Sequence, residues 1–200
     1  MLQVAQLYLL LNLLLGPPLN ACVDQEHGLP SWYDPGFQAE VQESFDLMQE
    51  AAAEDGVAML IFSGYRSYAY QVEVFNREVA LYPRMAHSHA APPGHSEHQL
   101  GTAIDVAWPG VGLGILDTRN DILYDWLEDN AHHFGFVISY PYREVDVWPY
   151  HNRWSPLVTE YVYEPWHLRY LGARAGELYE AGYLDPSSDI LPQDGCQIWP

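Results

Sequence analysis

The stretch Ser96–Trp108, SEHQLGTAIDVAW, joins a polar turn that contains a histidine to an apolar segment that contains a single acid. Gly101–Trp108 is predicted to be a strand because it is short, apolar and bounded by turn residues. Side chains alternate along a strand, so Asp105 should face away from its neighbours Ile104 and Val106. An unpaired buried charge costs several kcal/mol in rough terms. We therefore expect a cation beside Asp105.

Helices and short strands alternate on both sides of this stretch. The hydrophobic spacing predicts helices over 38–55, 70–81 and 120–134, strands over 57–62 and 136–139, a strand and turn within 160–170, and a helix near 171–181. The expected inward faces carry Val41, Phe45, Met48 and Ala52 in the first helix, Val72, Phe75 and Val79 in the second, and Leu123, Trp126, Leu127 and Ala131 in the third. Without an internal repeat, this mixture over 200 residues favours one compact α+β domain.

The charge of the chain excludes one class of partner. The formal net charge is −19 and the eight basic residues are all arginines. A nucleic-acid binder needs a basic patch to neutralise phosphates, so we expect no nucleic-acid partner. The excess of acid is typical of the soluble surface of an envelope protein or of a protein in a salty medium.

The amino terminus has two interpretations. The apolar run Val4–Leu15 is too short to span a bilayer, and Gly16 and two prolines end it. It is similar to the core of an export signal, and the tetrapeptide LNAC at 19–22 is similar to a lipoprotein cleavage box. Residues 1–22 are therefore a candidate signal segment, and Cys22 is a candidate membrane tether. Alternatively, the run is a mature helix and Cys22 forms a disulfide with Cys196. Both interpretations predict an extracytoplasmic protein.

A metal site is predicted from the residues that can join Asp105. His98 lies seven residues before it, and His167 follows Glu164 by three positions in a turn with proline and tryptophan. Zinc accepts both nitrogen and oxygen ligands, and a set of two histidines and one aspartate leaves a fourth tetrahedral position open, as in catalytic zinc sites. Glu164 would then be a carboxylate that is not a ligand, which is what a hydrolase needs as a general base.

Three segments resemble the signatures of the VanY-type D-alanyl-D-alanine carboxypeptidases, a family of zinc peptidases. They are SGYRS at 63–67, SEHQLGTAID at 96–105 and EPWHLRYLG at 164–172, and GFVISYP at 135–141 resembles a fourth. The resemblance covers roughly 28–182, which would be the carboxypeptidase domain, followed by a tail over 183–200. It implies a small antiparallel sheet flanked by helices, with zinc in a cleft on the sheet.

Position by position, the resemblance also implies roles. His98, Asp105 and His167 would bind zinc, Glu164 would activate the water and pass its proton to the leaving amine, and Arg66 would stabilise the oxyanion. Gln71 and Ser96 match positions that hold the substrate backbone or its terminal carboxylate, and Tyr65 and Trp166 are expected as walls of the cleft. His87, His89 and His95 lie close to His98 in sequence and are alternative ligands in its place, but they lack an aspartate at the matching offset. We expect them to be exposed loop histidines.

The sequence departs from the family pattern in two places. Ser139 stands where members commonly carry a basic residue. The stretch 142–159 is longer than the usual connection and carries Tyr142, Trp148, Tyr150 and Trp154. If this stretch lies beside the cleft, it narrows the entrance to the cleft or binds a larger glycan-linked peptide. Alternatively, it is an insertion packed on the surface without a role in binding.

The resemblance implies an enzyme of the cell envelope, a monomer, that removes the terminal D-alanine from peptidoglycan stem peptides. Two alternatives use the same zinc chemistry, an L,D-carboxypeptidase and a cross-link endopeptidase. A third is a zinc-stabilised binding module without turnover, and a fourth is a lipid-anchored scaffold. Glu164 and Arg66 favour an enzyme, because a structural zinc site requires neither.

Overall fold

The computed structural model describes residues 21–111, 113, 121–141 and 161–182. Most of the candidate signal segment, the 142–159 stretch with its aromatic residues, the 183–200 tail and Cys196 lie outside the described residues. In chain order the helices are α1 Ala39–Glu54, α2 Tyr68–Leu81, α3 Ala86–His89, α4 Ile122–Asn130 and α5 Ala173–Glu180. The strands are β1 Leu60–Ser63, β2 Ala103–Ala107, β3 Phe136–Ile138 and β4 His167–Tyr170, and short 3-10 helices cover Glu97–Leu100 and Ala131–Phe134.

The four strands form one antiparallel sheet in the order β1-β2-β4-β3. The central strands β2 and β4 pair Asp105 with His167 and Ala103 with Arg169. Because side chains alternate along each strand, these paired residues share one face of the sheet. The predicted small antiparallel sheet flanked by helices is therefore confirmed.

The other face of the sheet carries the hydrophobic core. Ile104 and Val106 of β2 and Leu168 of β4 are completely buried there, together with residues of α1 and α4. All four predicted inward residues of α1 are buried. In α4 and the 3-10 helix after it, Leu123, Leu127 and Ala131 are buried, while Trp126 is half-buried against the core. The first strand is shorter than predicted, although Val57 and Met59 before it are buried.

The predicted inward face of α2 is wrong. Val79 is 41% exposed, Val72 and Phe75 are half-buried, and Gln71 is the buried residue of this helix. Gln71 lies about 100° around the helix from Val72, so the side turned inward is centred on a polar residue. The reason is tertiary, because the Gln71 amide donates to the Ala91 carbonyl 2.8 Å away and its oxygen accepts from Arg66.

A glycine turn leads into the central strand. Gly101 has φ +76°, a conformation that L side chains rarely adopt, and it caps the 3-10 helix just before β2. A Cβ at this position would collide with the carbonyl oxygen of Gly36. The Gly101 carbonyl also accepts from the Gln38 N–H at 3.2 Å. The segment that precedes α1 thus crosses directly over the turn.

The amino-terminal part of the described chain is tied to the sheet. Cys22 is in a disulfide, which agrees with the second interpretation of the amino terminus as far as the described residues extend. The Ala21 carbonyl accepts from Arg169 of β4 at 2.9 Å. Within the described ranges, no helix is both long and apolar enough to span a membrane.

Candidate active site

Three buried ligand candidates meet on the polar face of the sheet. His98 comes from the 3-10 helix before β2, Asp105 from β2 and His167 from β4, and each is at most 4% exposed. His167 Nδ1 lies 3.1 Å from Asp105 Oδ1 and 3.2 Å from His98 Nε2, and His98 Nε2 lies 3.3 Å from Asp105 Oδ1. The pairing of β2 with β4 and the tight turn at Gly101 bring the three together.

The loop after β1 fixes the orientation of His98. His98 Nδ1 lies 2.6 Å from the Gly64 carbonyl, which can only accept, so this nitrogen carries the proton and donates. The Arg66 N–H donates in turn to the His98 carbonyl at 3.2 Å. His98 Nε2 is left as an acceptor, and it faces Asp105 and His167.

A series of hydrogen bonds links Asp105 to Arg66 and Arg66 to Gln71. The Arg66 guanidinium donates from Nη2 to Asp105 Oδ2 at 2.9 Å and from Nη1 to Gln71 Oε1 at 3.3 Å. Gln71 Nε2 donates to the Ala91 carbonyl, so both the oxygen and the nitrogen of the Gln71 amide have partners within the protein. The Asp105 carboxylate therefore presents Oδ1 to the histidines and Oδ2 to Arg66.

Glu164 approaches the cluster from a tight turn. The His167 N–H donates to the Glu164 carbonyl at 3.0 Å, and the Glu164 N–H donates to the Tyr140 carbonyl at 3.1 Å. Burial raises the pKa of the Glu164 carboxyl to about 8; His167 lowers it and Asp105 raises it. This side chain thus interacts electrostatically with two of the ligand candidates, and its pKa lies near neutral pH, where a general base works well.

Opposing effects set the protonation of the cluster. Burial would raise the pKa of Asp105, but its interactions with His98, His167 and Arg66 hold this pKa well below its usual value. Burial lowers the pKa of His98 to about 4, with Arg66 adding to the effect. Burial also lowers the pKa of His167, but hydrogen bonds to Asp105 and Glu97 outweigh it and raise this pKa to about 9. At neutral pH the cluster thus holds the Asp105 carboxylate, the neutral imidazole of His98 and a protonated His167.

The donor set fits zinc. One ligand atom from each of His98, Asp105 and His167 lies within 4.8 Å of the other two, and all three residues are buried. Two imidazole nitrogens and one carboxylate oxygen are typical zinc ligands, and a set of three leaves a position for water or substrate. A buried carboxylate beside converging nitrogens also has the charge that a divalent cation requires.

The predicted substrate-binding residues lie in different surroundings. Ser96 is buried at the start of the 3-10 helix that carries His98. Tyr65 is half-buried beside Arg66 in the chain, and its hydroxyl donates to Asp34. Trp166 packs against the hydrophobic core, with its ring centre 6.4 Å from that of Tyr124. The roles of these three residues towards a substrate stay predictions.

The structure adds three residues that the sequence analysis did not assign to the site. Glu97 is 4% exposed and lies 2.9 Å from His167 Nε2. Arg169 is completely buried and donates to Glu97 at 2.8 Å, and Ser139 donates to it at 2.6 Å. Burial would raise the pKa of Glu97, but Arg169 and hydrogen bonds from His167 and Ser139 bring it down to about 2. Alternation along β4 already places Arg169 on the same face as His167, and this signal could have identified it.

The histidines near His98 are only partly as predicted. His87 is exposed, as expected, but it lies with His89 in the short helix α3 and not in a loop. His89 and His95 are half-buried instead. His89 lies 3.6 Å from a Glu78 oxygen, and His95 Nδ1 lies 2.7 Å from the Asp24 carbonyl. Helix α3 lies against α2, and the loop that follows α3 lies against the amino-terminal segment, so His89 and His95 are each partly covered.

Comparison with known proteins identifies relatives of this fold and site. The family model described as VanY, D-alanyl-D-alanine carboxypeptidase, matches residues 35–173. A curated protein of Enterococcus faecalis named D-alanyl-D-alanine carboxypeptidase is 32% identical over 180 residues, which are 80% of this chain and 61% of that protein. The chain spans about three-fifths of the length of the first curated relatives that it matches.

Two solved structures resemble the chain closely. The LdcB LD-carboxypeptidase, described with the molecular basis of its peptidoglycan recognition, is 31% identical with a TM-score of 0.68, and the match covers 82% of each chain. A vancomycin resistance D,D-pentapeptidase VanY in complex with Zn(II) is 30% identical with a TM-score of 0.65, and the match covers 82% of this chain and 94% of that one. A relative of the same fold therefore binds the metal that the His98, Asp105 and His167 set fits.

Proposed function

The chain belongs to the VanY family of D-alanyl-D-alanine carboxypeptidases, and we propose that it is a zinc peptidase that hydrolyses the terminal D-alanyl-D-alanine bond of peptidoglycan stem peptides. The observation that carries the proposal is the buried His98, Asp105 and His167 cluster with Glu164 beside it. A purely structural zinc site has no use for a carboxylate whose pKa lies near neutrality or for an arginine behind the ligand.

We assign the following roles to the side chains of the cluster, and their contacts support this assignment. His98, Asp105 and His167 would hold zinc, which when bound supplies a Lewis acid that polarises a carbonyl and lowers the pKa of water. Glu164 accepts the proton of the attacking water and returns it to the amine of the leaving D-alanine. Arg66 keeps its proton throughout, and its guanidinium stabilises the negative charge that develops on the scissile carbonyl oxygen.

The Glu164 assignment is tested by the variant Glu164→Gln. The amide keeps the shape of the side chain but cannot take up a proton, so kcat should fall by about 100- to 10,000-fold while zinc content and melting temperature stay close to those of the unmodified chain. The measurement is D-alanine release from stem pentapeptide, followed by mass spectrometry, with and without a chelator.

Glu128→Gln is the matched control. Glu128 of α4 is another half-buried carboxylate, and it accepts a hydrogen bond from the Tyr163 hydroxyl at 3.1 Å. This variant should keep its activity. Near-normal turnover by Glu164→Gln would overturn the role of Glu164, and chelator-resistant turnover by the unmodified chain would overturn the zinc peptidase proposal.

An L,D-carboxypeptidase is the second candidate function. It is favoured by the similarity to the LdcB LD-carboxypeptidase, which is as strong as that to the D,D-pentapeptidase. Stem pentapeptide and tetrapeptide, each as sole substrate, separate the two activities. Loss of D-alanine from the pentapeptide alone supports the first function, and loss from the tetrapeptide alone supports the second.

We also propose a place of action in the cell envelope, where a stem peptide is accessible, and a monomeric state. The disulfide at Cys22 is consistent with an oxidising compartment. It leaves no thiol on Cys22 for a lipid in this state, so our proposal does not include a lipid tether.

A further inference from the structure

His167 lies between two carboxylates, and each approaches a different ring nitrogen. Nδ1 is 3.1 Å from Asp105 Oδ1, and Nε2 is 2.9 Å from Glu97 Oε2. A histidine that binds a metal is neutral and keeps one N–H, so only one of its ring nitrogens can bind the metal. The carboxylate that takes the N–H decides which nitrogen that is.

Glu97 is the better held of the two as a hydrogen-bond acceptor. Its Oε1 accepts from Arg169 Nη1 at 2.8 Å, and its Oε2 accepts from Ser139 Oγ at 2.6 Å as well as lying next to His167. Arg169 and Glu97 form a buried ion pair with side chains 0% and 4% exposed. Arg169 is itself fixed, because its Nη2 donates to the Ala21 carbonyl at 2.9 Å.

This arrangement leaves Glu97 no role as a ligand. Its two oxygens are already committed to Arg169, Ser139 and His167, and the Arg169 charge balances its own. By contrast, Asp105 Oδ1 lies within 3.3 Å of both His98 Nε2 and His167 Nδ1, at the centre of the ligand cluster. The ring of His167 thus turns Nδ1 towards the cluster and Nε2 away from it.

We propose that Glu97 is a positioning residue that holds His167 with Nε2 protonated and Nδ1 directed at the metal, and that Ser139 and Arg169 fix Glu97 for this purpose. The inference rests on the proposed ligand set. A carboxylate on the outer nitrogen of a ligand histidine fixes the orientation of the ring and raises its basicity, and its loss typically weakens metal binding 10- to 100-fold. In this chain, the Ser139 hydroxyl supplies a further side-chain donor to Glu97 besides His167 and Arg169.

The experiment measures zinc affinity and histidine protonation rather than activity. In the zinc-loaded protein, a long-range proton–nitrogen NMR spectrum should show His167 protonated at Nε2. By competition with a chromogenic chelator, Glu97→Gln should raise the zinc Kd by about 10- to 100-fold, because the amide NH₂ must face either His167 or Arg169, and both of these donate. Ser139→Ala removes one donor to Glu97 and should raise the zinc Kd roughly 2- to 10-fold.

Asp121→Asn is the matched control. Asp121 is also a buried carboxylate, 9% exposed, and it accepts from Trp108 Nε1 at 2.7 Å and caps α4 at the Leu123 N–H. This variant should lower the melting temperature but leave the zinc Kd unchanged. Should Glu97→Gln not fold, Ser139→Ala together with the NMR spectrum of the unmodified chain decides the matter.

Three results would overturn the inference. The first is His167 protonated at Nδ1 in the zinc-loaded chain. The second is a zinc Kd within twofold of the unmodified value for both Glu97→Gln and Ser139→Ala, which leaves the ligand set and the proposed function intact. The third is unchanged zinc binding in His98→Ala and His167→Ala, which would remove the ligand set itself and with it the basis of both proposals.

Discussion

At the scale of the single residue, three contacts hold Arg66 in the site. Its guanidinium donates to Asp105 and to Gln71, and its backbone N–H donates to the His98 carbonyl. Its side chain is 15% exposed, so it lies at the margin between the buried ligands and solvent. Within the described part of the chain, its buried Nε makes no hydrogen bond.

Arg66 allows a test that separates catalysis from binding. A fixed guanidinium stabilises the transition state, in which negative charge has developed, more than it stabilises the bound substrate. Arg66→Ala should therefore lower kcat by roughly 100- to 1,000-fold and change KM much less. Arg66→Lys should rescue little, because one ammonium cannot replace the planar fork that serves both Asp105 and Gln71. Steady-state kinetics on stem pentapeptide, with zinc content measured in each variant, provides the test. A raised KM with kcat intact would instead make Arg66 a substrate clamp.

At the scale of the element, the turn into β2 decides where the ligands lie. The 3-10 helix Glu97–Leu100 carries His98, Gly101 reverses the chain, and β2 then carries Asp105. The turn cannot accommodate a side chain at residue 101, because a Cβ there would collide with the Gly36 carbonyl oxygen. The spacing of His98 and Asp105 therefore depends on a glycine that makes no contact with a metal.

Two glycine substitutions isolate this close approach. Gly101 and Gly56 both have positive φ, +76° and +81°, but a Cβ at Gly56 would have nothing within 4 Å. Gly56→Ala should lower the free energy of unfolding by roughly 1–2 kcal/mol, because alanine disfavours the left-handed backbone conformation. Gly101→Ala should cost about 1–3 kcal/mol more, because the backbone at Gly36 must move. Urea unfolding of the two variants measures the difference, and equal losses of stability would contradict the role of the crossing segment.

At the scale of the whole molecule, the site depends on residues that are far apart in sequence. His98 and His167 are 69 positions apart, and Arg169 reaches back 148 positions to Ala21. Folding must therefore bring buried charged groups together, and a cation that binds them only in the native state contributes its binding energy to stability.

Zinc should therefore stabilise the protein in a concentration-dependent way. The gain in unfolding free energy is about 4 kcal/mol at a free zinc concentration 1,000 times the Kd, so the melting temperature should rise with the logarithm of zinc concentration and fall when a chelator removes the metal. Glu164→Gln should show the same rise and His98→Ala a much smaller one. Calorimetry at several zinc concentrations provides the measurement, and a melting temperature independent of zinc would contradict binding at this site.

The sequence by itself predicted the ligand candidates and the elements other than the two short helices between α2 and β2. Periodicity placed the inward face of α1, and alternation put Asp105 on the face opposite Ile104 and Val106, because both patterns follow from local backbone geometry. The order of the motifs identified the family. Only the tertiary structure decided that α2 turns Gln71 inward and that Glu97, Ser139 and Arg169 meet behind His167. These choices depend on hydrogen-bond partners that belong to distant segments, and a local pattern contains no information on which buried polar groups will find one another.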